Sequence, residues 1–281
     1  MRLAALVPVL LFALVQTPTL VPDPPKECSD CADWNRDTAP SQLFGNTYSV
    51  GTAGLSALLV TSPAGHVLLD GALPQSAPLI DRHIRALGFK TTDVKLILVS
   101  HGHYDHAGGV AALARFTGAR VAASPSTAAA LGRGENTADD PQFGFGRKDN
   151  EFPAWATVQE LKDGEVLRVG DTAITVHLIP GHAPGSTAYT WRSCEGATCK
   201  DMVYADSLSA VAAPGFRFSG GGDYPSRVDA FRRSITRVAE LPCDILVAPH
   251  PFAAVGKTCR TYAADAMTRL EQRVAEEAKG R

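Results

Sequence analysis

An excess of either charge is absent from this sequence: 27 Lys and Arg face 29 Asp and Glu, a formal net charge of −2 over 281 residues with histidine neutral. That balance excludes the clustered cations that phosphate binding at physiological salt requires, so no nucleic-acid partner is expected. Low-complexity tracts are missing apart from a Pro-rich stretch at 17–25, and no solenoid period recurs. At 45% hydrophobic and 20% charged residues, the composition is that of a globular protein rather than a disordered or fibrous one. Long hydrophobic runs are scarce as well. The one present, residues 3–15 after Arg2, has the length of a signal-peptide core and falls short of the ~20 residues a spanning helix needs. Pro18, Pro22, Pro24 and Pro25 follow at once and leave nothing to continue a helix. An export signal is therefore expected, although no Ala-x-Ala cleavage site stands out. Cys28 follows Pro25-Lys26-Glu27 and lacks the small apolar context of a lipid-attachment cysteine. No membrane anchor is expected after signal removal, and the location is periplasmic or secreted.

Cysteines are few but even in number: Cys28, Cys31, Cys194, Cys199, Cys243 and Cys259. In an exported chain such thiols pair. Proximity favours Cys28 with Cys31, Cys194 with Cys199, and Cys243 with Cys259, and the unequal spacings argue against a zinc ribbon.

Short apolar runs, each ending in a polar or Gly/Pro cluster, read as buried strands at 57–60, 67–69, 96–99, 174–179, 202–205 and 245–248. Between them, helical spacing predicts helices over 75–87, 109–116, 226–241 and 262–277. Interleaved strands and helices predict layers of sheet and helix around a core. Cys194 to Cys199 lies between two strand-like runs and reads as a hairpin tip clipped by a disulfide.

The chemistry concentrates where the 96–99 strand ends. His101, His103, Asp105 and His106 follow one another in a Gly-rich turn, and His-x-His lets two imidazoles converge where an extended backbone bends. Asp105 and His106 fall near the start of the next helix, where the dipole favours a carboxylate. A lone histidine is more often a packed residue than a ligand, but four such groups together point to metal. Two other strand ends offer His182, in Pro180-Gly181-His182-Ala183-Pro184-Gly185-Ser186, and His250, in Ala248-Pro249-His250-Pro251. His66, His83 and His177 are read as ordinary turn, helix and strand residues. Asp70, beside Gly71, is either an acceptor behind a ligand histidine or a turn aspartate. The glycine-punctuated aromatic loop from Gln142 through Phe152 and Trp155 reads as a wall of the site, with Gln142 as a substrate contact, rather than as aromatics that merely anchor the loop to the core.

His101-x-His103-x-Asp105-His106 with His182 and His250 resembles the metallo-β-lactamase superfamily, over about 42 to the C-terminal helix. Leu68-Leu69-Asp70-Gly71, Pro180-Gly181-His182-x-Pro184-Gly185-Ser186, Tyr204-Ala205-Asp206-Ser207-Leu208-Ser209 and Leu241-Pro242-Cys243-Asp244 are similar to its third lactamase subclass, B-three. The resemblance implies a single-domain α/β fold, a four-layer αβ/βα sandwich over 42–281, preceded by a signal at 1–20 and an extension at 21–41. It implies two Zn2+ ions, one on His101, His103 and His182 and one on Asp105, His106 and His250. It also implies hydrolysis of the β-lactam amide by a hydroxide held between them, which confers antibiotic resistance. Asp105, His101, His103 and His182 then carry catalysis, and Ser207 and Ser209 meet the substrate carboxylate. A monomer acting on a small molecule is expected. Two rivals stand beside this reading: a glyoxalase-type thioester or lactone hydrolase, in which an aspartate resembling Asp206 would bridge the metals, and an exported zinc-binding or partner-binding module without turnover.

Overall fold

Val67, Leu68 and Leu69 show how the sequence builds layers, because alternate residues on this strand feed two different cores. The computed structural model describes residues 19–221 and 225–279; the signal expected at 1–20 lies almost wholly outside them. A seven-stranded sheet runs in chain order through β1 (Ser41–Phe44), β2 (Thr47–Ser49), β3 (Leu58–Val60), β4 (His66–Leu69), β5 (Val94–Leu98), β6 (Arg120–Ala123) and β7 (Val158–Glu160). Pairing is antiparallel from β1 to β4 and parallel from β4 to β7. A second sheet has the order β12-β11-β10-β9-β8, built from β8 (Val166–Val169), β9 (Thr172–Leu178), β10 (Thr187–Glu195), β11 (Thr198–Tyr204) and β12 (Ile245–Val247). Only β11 and β12 are parallel there.

The helices are α1 (Cys31–Trp34), α2 (Ala77–Ala86), α3 (Tyr104–Ala107), α4 (Val110–Thr117), α5 (Pro125–Arg133), α6 (Arg147–Asn150), α7 (Val228–Glu240), α8 (Pro251–Ala254) and α9 (Cys259–Lys279). Ile80 and Ile84 of α2 and Leu113 of α4 pack with Leu68 and Ile97 on the outer face of the first sheet. Leu69, Leu96 and Leu98 meet Ile174, Tyr189 and Met202 between the sheets. Phe231 and Ile235 of α7 and Tyr262 and Leu270 of α9 cover Ala188 and Val203 on the far face. This is the expected αβ/βα four-layer sandwich, with both sheets covered as their apolar runs require.

The four expected helices are α2, α4, α7 and α9, each within a few residues of the predicted bounds. Strands β1, β2, β6, β7 and β8 escaped the sequence reading, being short and mostly lacking a bounded apolar run. Helix α5 was also missed, although Ser124 caps it by accepting from the Thr127 N–H, Pro125 opens it, and Gly134 closes it at φ 72°. Disulfides join Cys28 to Cys31, Cys194 to Cys199 and Cys243 to Cys259. Cys194 and Cys199 face each other across the β10–β11 ladder, the clipped hairpin expected. No helix among the described residues is long and apolar enough to cross a membrane.

Strands β4 and β5 run parallel in one sheet, and β9, β11 and β12 point the same way in the other. The polar residues that follow β4, β5, β9, β11 and β12 therefore collect along one edge of the sandwich. There the Thr187 N–H donates to the Ser100 carbonyl and ties the sheets together.

Candidate metal centre

His101, His103, Asp105 and His106 occupy the turn between β5 and α4. The chain bends sharply there because His103 is extended at φ −96°, ψ 152° and then caps the single turn α3, with the Ala107 N–H returned to its carbonyl. Beneath the turn, Asp70 is fully buried in the left-handed region at φ 61°. Its carboxylate accepts from the Ser100 N–H at 2.7 Å, the Ser100 hydroxyl at 2.7 Å and the Tyr204 hydroxyl at 2.6 Å. The following Gly71 lies so close to α4 that an added Cβ would stand 2.6 Å from the Val110 nitrogen. Burial raises the Asp70 carboxyl to about 6, against the pull of His106 and these donors. Asp70 stands 3.8 Å from His106 Nδ1, too far for the hydrogen bond an acceptor behind that ring would make. Its contacts fix Ser100 instead, and through it the residue that follows.

The imidazoles of all five candidate histidines converge. Ring centroids lie 4.5 Å apart for His101–His103 and for His101–His106, 4.9 Å for His101–His182, 5.0 Å for His103–His182 and 5.1 Å for His106–His250. One Asp105 oxygen, Oδ2, is 3.0 Å from His106 Nε2 and 3.3 Å from His250 Nε2. Potential ligand atoms of His101, His103 and His182 fall within 4.8 Å of one another, as do those of His101, Asp105 and His106. His250 closes the second group through Asp105. The structure thus brings together all six residues singled out from the sequence.

Four of the five rings are turned by what holds the other nitrogen, while His106 Nδ1 is buried with no hydrogen-bond partner. His101 Nδ1 donates to Asp206 Oδ1 at 2.7 Å, and His103 Nε2 lies 3.0 and 3.1 Å from the two Asp140 oxygens. His182 Nδ1 donates to the Ser209 carbonyl at 2.9 Å, and His250 Nδ1 to the Gly54 carbonyl at 3.2 Å. These acceptors fix the tautomers and leave His101 Nε2, His103 Nδ1, His182 Nε2 and His250 Nε2 to carry lone pairs. His101 Nε2 is buried with no hydrogen-bond partner. An orphaned lone pair in a dry site is costly unless a cation receives it, so this donor set fits a metal. Burial holds His101 at about 4 and His182 at about 3, which keeps both in the neutral form a metal needs. For His103 and His106 burial opposes charge but loses to Asp140 and Asp105 respectively. His103 is raised and His106 reaches about 9, while the Asp105 carboxyl is held well below its usual range, chiefly by His106 against burial.

Around this centre, the Ser207 N–H donates to Asp206 Oδ1 at 2.7 Å, and the Ser209 hydroxyl lies 3.1 Å from His182 Nδ1. Asp206 sits behind His101, and it belongs to neither group of converging ligand atoms. Gln142 stands at the loop turn where its N–H donates to Asp140 Oδ1 at 2.8 Å. The aromatic loop divides: Phe143 and Phe145 are 37% and 40% exposed, whereas Phe152 is 7% exposed and Trp155 packs on the same core. The first pair fits a wall and the second pair anchors it. Asp140 escaped sequence reasoning, because an aspartate in Asp139-Asp140-Pro141 reads as an ordinary turn. Trp34 was also missed; its ring lies 5.1 Å from that of His250, and Phe252 lies 5.3 Å from it. His66 opens β4 rather than a turn, and His83 and His177 lie in α2 and β9, away from the centre.

A family model described as the metallo-beta-lactamase superfamily matches residues 51–250. Among solved structures, the chain is 47% identical to the Rm3 metallo-beta-lactamase, with a TM-score of 0.85, covering 90% of this chain and 99% of that one. It is 43% identical to a subclass B3 metallo-beta-lactamase isolated from a soil metagenome library, with a TM-score of 0.85 and coverage of 89% and 100%. A curated relative, the N-acyl homoserine lactonase AttM of Agrobacterium fabrum, is 31% identical over 163 residues. That match takes in 48% of this chain and spans 58% of the lactonase's length.

Proposed function

This chain belongs to the metallo-β-lactamase superfamily and so to a fold that binds divalent metal, and from that premise we propose that it is a zinc-dependent β-lactamase. It opens the amide of penicillins, cephalosporins and carbapenems, and is exported to the periplasm or beyond, where it confers antibiotic resistance. The observation that carries the reading is the convergence of the donors: acceptors behind His101, His103, His182 and His250 turn the free nitrogens of the first three to one point and that of His250 to the Asp105 carboxylate, where His106 Nε2 joins it. One zinc is assigned to His101, His103 and His182 and a second to Asp105, His106 and His250. A zinc pair supplies Lewis acidity towards the lactam carbonyl and water acidic enough to attack near neutral pH.

The protein's own groups orient the reactants. Asp105, ionised and shared between His106 and His250, would hold the second zinc and offer its carboxylate as the hydrogen-bond acceptor that orients the attacking water. Ser207 and Ser209, in the loop after β11, are assigned to the substrate carboxylate, and Gln142 with the exposed Phe143 and Phe145 to a wall of the site. Three disulfides support an oxidising location.

A lactone hydrolase is the second reading, favoured by the likeness to the lactonase. Against it stands Asp206, whose Oδ1 is committed to His101 Nδ1 and the Ser207 N–H rather than to a place between two metals. The test is hydrolysis of a chromogenic cephalosporin and a carbapenem, with and without chelator, beside an acyl-homoserine lactone and a glutathione thioester. Chelator-sensitive lactam turnover is expected; turnover of only the lactone or thioester overturns the proposal.

A further inference from the structure

Asp140 touches two parts of the molecule with one carboxylate. It is buried, and its two oxygens lie 3.1 and 3.0 Å from His103 Nε2. Oδ1 also accepts the Gln142 N–H at 2.8 Å, and the Asp140 carbonyl accepts the Phe143 N–H at 3.0 Å. From there the loop runs on to the exposed rings of Phe143 and Phe145. Other tethers are the Asn150 side-chain amide, which donates to the Gln142 and Phe143 carbonyls at 3.1 Å each, the Ala213 N–H, which donates to the Pro141 carbonyl at 2.9 Å, the Lys26 ammonium, which donates to the Lys148 carbonyl at 2.6 Å, and the Arg227–Asp139 ion pair at 3.6 Å. Among these contacts the Asp140 carboxylate is the one that joins the start of the exposed aromatic segment to His103.

We propose that Asp140 is a positioning residue that couples loop 136–150 to metal binding: the carboxylate that turns His103 Nδ1 towards the metal also accepts the Gln142 N–H, and the same residue's carbonyl accepts the Phe143 N–H. The coupling rests on the assignment of His103 as a ligand, but not on the identity of the substrate. Linkage makes it reciprocal. Metal, by fixing the ring, holds the loop; an ordered loop, by fixing Asp140, holds metal.

The experiment uses the full chain, zinc titrated against a competing chelator, and amide hydrogen exchange read at Gln142, Phe143 and Phe145. In the unaltered protein, zinc is expected to slow exchange at these amides. Asp140→Ala should weaken zinc binding by about 10- to 100-fold, the usual cost of losing a partner behind a metal-bound histidine. It should also abolish the effect of zinc on the loop while β10 and β11 keep their protection. Asp140→Asn keeps an oxygen that accepts from one of its two partners and should recover part of both. Asn150→Ala loosens the loop without touching His103 and should still weaken zinc binding. That variant and Asp140→Asn carry the test if the alanine variant fails to fold. Zinc affinity unchanged in both Asp140→Asn and Asn150→Ala, or loop protection by zinc that persists without the carboxylate, overturns the coupling. Absence of lactam turnover alongside intact coupling would instead overturn only the proposed activity.

Discussion

His101, His103, Asp105 and His106 ride on a single strand-to-helix turn, whereas His182 and His250 arrive singly from loops much later in the chain. The early group is held by the main structure: Asp70 N–H on the Leu98 carbonyl, Gly71 N–H on the His106 carbonyl and the buried Asp70 carboxylate under Ser100. The late pair rides on loops held from distant segments: the Ser234 hydroxyl donates to the Pro180 carbonyl, the Ser124 and Thr127 hydroxyls to the Gly185 carbonyl, and the Ser56 N–H and hydroxyl to the Pro249 and Ala248 carbonyls. His182 depends on Ser209 and on Gly181 seated against the Phe231 ring, while His250 depends on the Gly54 carbonyl, the Trp34 ring and a loop closed by Cys243–Cys259. One half of the centre thus sits on one continuous turn, and the other is brought to it by two loops that distant segments hold in place. Damage to the late half should cost metal before it costs the fold.

The largest expected effect is direct removal of donors. His182→Ala and Asp105→Ala should each lower turnover by at least about 10³-fold, roughly 4 kcal/mol of transition-state stabilisation, and lower bound zinc measured by mass spectrometry. Near-native activity in either variant would remove that residue from the centre. Next comes Phe231→Ala, which empties a fully buried site beneath Gly181. A loss of about 3–5 kcal/mol in denaturant unfolding is expected, accompanied by weaker zinc retention because the His182 loop loses its seat. A stability loss with unchanged zinc affinity would erase the contrast between the halves on this side.

Cys243 and Cys259 are 16 residues apart and enclose His250. In the chain-entropy account a bridge of this span is worth about 3 kcal/mol, so Cys243→Ser with Cys259→Ser should lower the melting temperature and speed zinc loss to chelator. Unchanged metal affinity after verified loss of the bridge counts against a role in holding the ligand. The smallest effect belongs to Glu277, remote from the ligands. Its carboxylate accepts from the Phe218 and Ser219 N–H groups at 2.9 and 2.8 Å and from Arg273 Nε at 3.0 Å. Burial opposes its charge but is outweighed by these donors, so its folded pKa lies below the ordinary 4.5. The stability it contributes is full above 4.5 and is lost as pH falls through the lowered value. Glu277→Gln should cost about 1 kcal/mol near pH 7, flatten the acid limb of the stability curve and leave zinc affinity alone.

Legibility in the sequence followed the range of the forces involved. Runs such as Leu96-Ile97-Leu98-Val99 and the stripe of Val228, Phe231, Ile235 and Val238 announced β5 and α7, because a strand buried on both faces is apolar throughout and a helix buried on one face is apolar at its helical period. Strands such as Thr47–Ser49 carry little of that signal, since their pairing with β1 and β3 is settled by backbone bonds that any side chains allow. In the same way the ligand donors stood out by type and by their place at strand ends. Asp140 and Trp34 did not, because each acquires its role only from a partner far away in the chain.

By itself, then, the amino-acid order determined which side chains could bind metal, that they follow buried strands, and which cysteines lie near enough to pair. Tertiary structure decided which nitrogen of each histidine faces inward, that Asp206 and Asp140 stand behind rings, and that Phe143 and Phe145 face solvent while Phe152 is buried. The reason is physical. Periodicity and donor type are properties of a segment, whereas a ring's tautomer and direction are set by whichever acceptor the folded chain brings to its far side.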